Sequence, residues 1–130
     1  MLRRVPRIPL LLALIAPCLP GMAHAQSAVA TESLLTRAER SDFTETTRYD
    51  EVMELSGRIA ELSSDIHLTT FGYTMEGRSL PLLVIGAPDA SAASVRETGK
   101  TRVYIQGNIH AGEVCGKEAL LMLLRRYAAG

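Results

Sequence analysis

His110 and Glu113 are the pair in this sequence best suited to chemistry, three positions apart in the run Gly107-Asn108-Ile109-His110-Ala111-Gly112-Glu113. The run lies where an apolar, strand-like stretch ends and a helical one begins. Ligand sites of open α/β sheets form outside the carboxyl ends of strands, so a histidine there faces a crevice. A glutamate three residues on, at a helix start, can turn to the same side. Imidazole nitrogen and carboxylate oxygen both bind zinc at about 2.0–2.2 Å, and a catalytic zinc combines three protein ligands with a water. The positive end of a helix favours the ionised carboxylate that a metal needs. Ala111 and Gly112 are small and leave room beside an ion. The same spacing also serves a helix-capping carboxylate beside a polar loop histidine, and spacing alone does not choose between the two.

Other candidates are weaker. His67 stands at the start of a predicted hairpin with no partner nearby, the setting of a structural or exposed histidine. His24 falls in a segment expected to be removed. Cys115 is expected to pack as a small hydrophobe on a helix.

The elements that must position the pair can be read from periodicity. Tyr49, Val52, Leu55, Ile59 and Leu62 recur at spacings of three and four, which predicts a helix, with Thr47 as its cap and Asp50 and Glu51 at its positive end. Ser63-Ser64-Asp65 ends it. Ile66 to Thr74 is rich in β-formers, Met75-Glu76-Gly77-Arg78 supplies a turn, and Leu80 to Ile85 is a short apolar strand, together a hairpin. Residues 87–100 read as a surface loop and Arg102 to Gln106 as a further strand. Glu113 to Ala129 reads as a helix that buries Ala119, Leu120, Met122, Leu123 and Leu124, with Arg125 and Arg126 suiting its negative end. Helix, hairpin, strand, helix is the opening of an α/β domain. No later strand receives the last helix, so the sheet is expected to be incomplete.

The first 25 residues read as a cleavable signal peptide. Arg3, Arg4 and Arg7 are followed by an apolar run from Ile8 to Cys18 and by Ala23-His24-Ala25 at a cleavage site. The apolar run is short and is interrupted by Pro17, with Pro20 just beyond it, which disfavours a membrane anchor. Arg3-Arg4 lacks the usual continuation of a twin-arginine signal, and Pro17 disfavours lipid attachment at Cys18. The expected location is therefore secreted or periplasmic. Residues 26–47 read as a polar leader that crosses the surface, and 48–130 as the domain proper. The chain has 14 basic and 14 acidic residues. Loss of the signal removes three basic residues and leaves a net charge of −3, without basic runs, which argues against nucleic acid as a partner. One cysteine beyond the signal makes no internal disulfide.

Arg102 through Arg125 resembles the metal-binding segment of the carboxypeptidase A-like zinc metallopeptidases. Upstream, Phe71-Gly72-Tyr73-Thr74-Met75-Glu76-Gly77-Arg78-Ser79-Leu80-Pro81-Leu82 resembles that family's G-x-(S/T)-x-E-G-R-x-(I/L) hairpin. The resemblance covers most of Tyr49 to Gly130. It implies the N-terminal part of a mixed-sheet α/β domain, with His110 and Glu113 as the first two Zn2+ ligands and a peptide as substrate. It also implies that the third ligand, a histidine, and a glutamate general base lie roughly a hundred or more residues later. No catalytic residue is therefore expected among these 130, and the chain alone is expected to be inactive. Digestive members carry an arginine where this sequence has Gly112, so the missing cation leaves substrate preference open. Deacylases and cell-wall peptide amidohydrolases of related fold use the same two ligands. A chain that truly stopped at Gly130 would be a non-enzymatic remnant.

Overall fold

The computed structural model describes residues 34–130, and the expected signal peptide lies outside the described residues. Periodic apolar residues form a helix where the sequence places one. It runs Tyr49–Leu62 and is called α2, following a single-turn α1, Arg37–Arg40. In α2 Leu55, Ser56 and Ile59 are buried, while Tyr49 and Leu62 at its two ends reach the surface. Arg48, not Thr47, is the N-cap, and the Glu51 carboxylate reaches back to accept the Arg48 amide at 2.8 Å.

The hairpin follows. Strands β1, Ile66–Tyr73, and β2, Ser79–Ile85, pair antiparallel from Ile66 opposite Ile85 to Tyr73 opposite Ser79. Between Thr70 and Gly72 the register slips and leaves Phe71 as the extra residue of a bulge. Gly77, at φ 78°, makes the turn, and its amide donates to the Thr74 carbonyl at 2.9 Å. Residues 87–100 contain a further short helix, α3, Ala92–Glu97, started by Ser91, whose hydroxyl accepts the Ser94 amide. The last element, α4, is Val114–Ala129. The architecture is α/β, helices against a two-stranded antiparallel sheet. Leu34, Leu55, Ile59, Ile66 and Leu121 form the core, drawn from the segment before α1, from α2, from β1 and from α4.

Three further expectations are corrected by burial and pairing. Residues 102–106 form no strand, because neither β1 nor β2 offers them a ladder and Val103, Tyr104 and Ile105 stand exposed. Residues 34–47 are only in part a surface leader, with Arg40 and residues 42–45 exposed and other positions anchored inside. Leu34, Thr36, Ala38 and Thr47 are all buried against the helices. In α4 the buried stripe is Glu118, Leu121 and Arg125, whereas Ala119 and Leu123 are exposed.

That stripe is polar because its partners are polar. Glu118 accepts the Thr46 hydroxyl at 2.6 Å, the Thr47 amide at 2.7 Å and the Thr47 hydroxyl at 2.7 Å. Lys117 beside it donates to the Thr46 hydroxyl at 2.9 Å and to the Thr47 carbonyl. Two turns further on, the Arg125 guanidinium grips Glu39 through two bonds of 2.5 and 2.6 Å and donates to the Leu34 carbonyl at 3.2 Å. Arg125 therefore does not serve the helix's negative end. Tyr127 donates to Asp65, just ahead of β1.

Candidate metal centre

The loop that carries His110 runs from Gly107 to the start of α4. Its backbone passes against the first turn of that helix: a Cβ on Gly107 would stand 2.9 Å from the Gly116 carbonyl carbon and 3.0 Å from its oxygen. Asn108 then takes φ 59°, the left-handed region that asparagine tolerates better than most residues. From there the chain reaches His110, whose carbonyl accepts the Glu113 amide at 3.0 Å and closes a tight turn into α4. Glu113 is the N-cap residue of α4, and its carboxylate is not spent on capping.

The turn folds the two side chains together. His110 Nδ1 lies 2.7 Å from Glu113 Oε1, and the His110 amide donates to Glu113 Oε2 at 3.2 Å. The His110 ring beside it, and then the backbone amide, hold the Glu113 carboxyl below the usual glutamate value. An ionised carboxylate can only accept, so Nδ1 carries the proton and Nε2 is left as the free nitrogen. Both side chains are open to solvent, 78% exposed for His110 and 54% for Glu113.

This donor set fits zinc in part. One imidazole nitrogen and one carboxylate oxygen face each other at a helix start, both reachable from solvent. Their 2.7 Å separation is that of a hydrogen bond, whereas two ligands of one tetrahedral ion stand about 3.4 Å apart. Exposed side chains have the freedom to open by that amount. Among the described residues no group of three or more His, Cys, Asp or Glu gathers as a metal site. His67 is elsewhere, with its Nε2 bonded to the Ala87 carbonyl at 2.8 Å, which makes it a tie between β1 and the chain after β2. Cys115 is exposed rather than packed.

Sequence reasoning found the pair and missed what surrounds it. The Gly107–Gly116 approach has no sequence signature, because it joins residues on two elements. Glu118 and Arg125 carried a signal that was available: they fall three before and four after Leu121, on one face of a helix.

The zinc carboxypeptidase family model matches residues 52–129, from the first turn of α2 to the end of α4, including the hairpin and the His110–Glu113 turn. The chain is also similar to carboxypeptidase 2 of Trichophyton rubrum, 30% identical over 121 residues. That alignment covers 90% of this chain and 22% of the relative, so the chain spans about a fifth of that protein's length. No solved structure matches it. The chain belongs to the zinc carboxypeptidase family.

Proposed function

We propose that this sequence contributes two of the three protein ligands of a zinc-dependent metallocarboxypeptidase that hydrolyses C-terminal peptide bonds. The observation that supports this most is the approach of His110 Nδ1 to Glu113 Oε1 at 2.7 Å, at a helix start, in a chain of this family. His110 and Glu113 would hold the ion. When bound, zinc polarises a carbonyl and lowers the pKa of its water towards about 7.

The chain's own residues supply the rest of what can be derived. Glu113 is already ionised and needs no deprotonation to bind. If Nδ1 is the ligand, the His110 proton would move from Nδ1 to Nε2, so loading is coupled to a change of tautomer and not to net loss of a proton. Glu113, engaged as a ligand, is not free to act as general base. A proton acceptor other than Glu113, and a third ligand, would both be needed. By themselves, two donors make a weak and hydrolytically silent site.

The test is made on the protein that contains this sequence, with peptides bearing free or amidated C-termini. Metal-dependent hydrolysis of the free acids, lost in His110→Ala and Glu113→Gln, is the expected outcome. Equal cleavage of the amides points instead to a deacylase or a cell-wall peptide amidohydrolase. Normal hydrolysis by His110→Ala removes the proposal. We further propose export to the periplasm or beyond with cleavage after Ala25, which the intact mass of the mature protein, beginning at Gln26, would verify.

A further inference from the structure

We propose that Gly107 and Asn108 are positioning residues, which set His110 against Glu113 by seating the loop backbone on the first turn of α4 at Gly116. As a statement about metal binding this rests on the reading above, but its geometric half does not.

The side chains of the pair have no packing to hold them, since both are largely exposed. Their placement is therefore inherited from the backbone. No backbone hydrogen bond joins residues 101–109 to any element of the described structure, so ladders and caps do not fix the loop either. Gly107 lies three residues before His110, and its contact Gly116 lies three residues after Glu113. The contact thus closes the loop around the pair. At Gly107 no side chain fits: a Cβ would meet the Gly116 carbonyl carbon at 2.9 Å, its oxygen at 3.0 Å and Leu120 Cδ1 at 3.0 Å. The first two obstacles are helix backbone, which cannot swing aside as a side-chain tip can. The contact is one-sided. A Cβ on Gly116 would meet Gly107 Cα at 3.6 Å and the Asn108 nitrogen at 3.9 Å, which is ordinary packing. Asn108, one step on, redirects the chain with φ 59°. Glycine adopts that conformation freely, whereas a β-branched residue resists it.

These asymmetries define the experiment. The full chain is labelled with 15N-histidine, and the ring nitrogen shifts of His110 report its tautomer without metal. Zn2+ titration on the same spectra reports affinity, and thermal unfolding reports fold. Wild type is expected to show the Nδ1–H tautomer that the Glu113 contact imposes. Gly107→Ala is expected to lose that preference and to raise the Zn2+ Kd by about 10- to 100-fold, the range of a displaced supporting contact. Gly116→Ala, the same added methyl on the other side of the contact, is expected to change neither. Asn108→Gly is expected to match wild type and Asn108→Val to match Gly107→Ala. A folded Gly107→Ala chain with wild-type tautomer and affinity overturns the proposal. If Gly107→Ala does not fold, the two Asn108 variants decide, and equal behaviour of those variants overturns it. A wild-type His110 ring that ignores Zn2+ refutes the metal reading alone. The tautomer comparison then decides the positioning role.

Discussion

Ser56 sits at the centre of α2 with no exposed surface, and its hydroxyl has no hydrogen-bond partner. A buried polar group without a partner costs about 1–3 kcal/mol. Ser56→Ala should therefore raise the unfolding free energy by about 1 kcal/mol, read from the urea midpoint at unchanged slope. A loss of stability would mean that the hydroxyl has found a partner. Glu118 is the opposite case. Its carboxylate is 7% exposed and accepts three bonds. Glu118→Ala strands the Thr47 amide and both threonine hydroxyls and should cost about 3 kcal/mol, at one kcal/mol or so for each bond. Thr47→Val removes one of the three together with the bond that the Thr47 hydroxyl accepts from the Arg37 amide at 3.2 Å, and should cost about 2 kcal/mol. Equal losses in the two variants would contradict that division.

At the scale of elements, α4 is held by Leu121 in the core and by two polar clamps on the segment before α2. Glu118 engages Thr46 and Thr47, and Arg125 engages Glu39 and the Leu34 carbonyl. Removing one partner of a buried pair leaves the other charge stranded, so Glu39→Met and Arg125→Met should each cost about 3 kcal/mol. The double variant should recover much of that loss, because no unpaired charge remains; a double variant as unstable as the sum of the singles would argue against a shared pair. This is also where the sequence stops being legible. The Tyr49–Leu62 helix and the 66–85 hairpin follow from local signals: spacings of three and four, β-formers, and a glycine where the turn needs positive φ. Residues 102–106 have the alternation of a strand, but a strand exists only through its neighbours, and β1 and β2 leave this stretch unpaired. The buried face of α4 departs from its hydrophobic pattern for a related reason. Hydrophobicity favours Ala119 and Leu123, whereas the distant threonines and Glu39 select Glu118 and Arg125. In the candidate site the His110–Glu113 spacing was readable, but the backbone contact behind it was not.

For the whole molecule, the clamps make stability depend on acid in a defined direction. The Arg125 bond is the main cause that lowers the Glu39 carboxyl below its ordinary 4.5. For Glu118, burial pushes upward, but the bonds from Thr46 and Thr47 outweigh it and the net shift is downward. Groups depressed in the folded state add stability that is fully present above their unfolded pKa and is lost as pH falls through the folded value. Stability should thus be level around neutrality with respect to these two groups and fall below about pH 4.5. Urea midpoints measured between pH 3 and 7 should show that fall, and Glu118→Gln should flatten it. The clamps also govern when folding can finish. Thr47 and Glu118 are 71 positions apart, and Leu34 and Arg125 are 91 apart. Closing loops of this length is entropically costly before any contact forms, which slows folding. On a ribosome, residues 34–47 would emerge well before α4, and their bonds to Glu118 and Arg125 could form only once that helix had been synthesised. Over that interval the Glu39, Thr46 and Thr47 side chains stay solvated, a state open to any chaperone that binds unfolded segments.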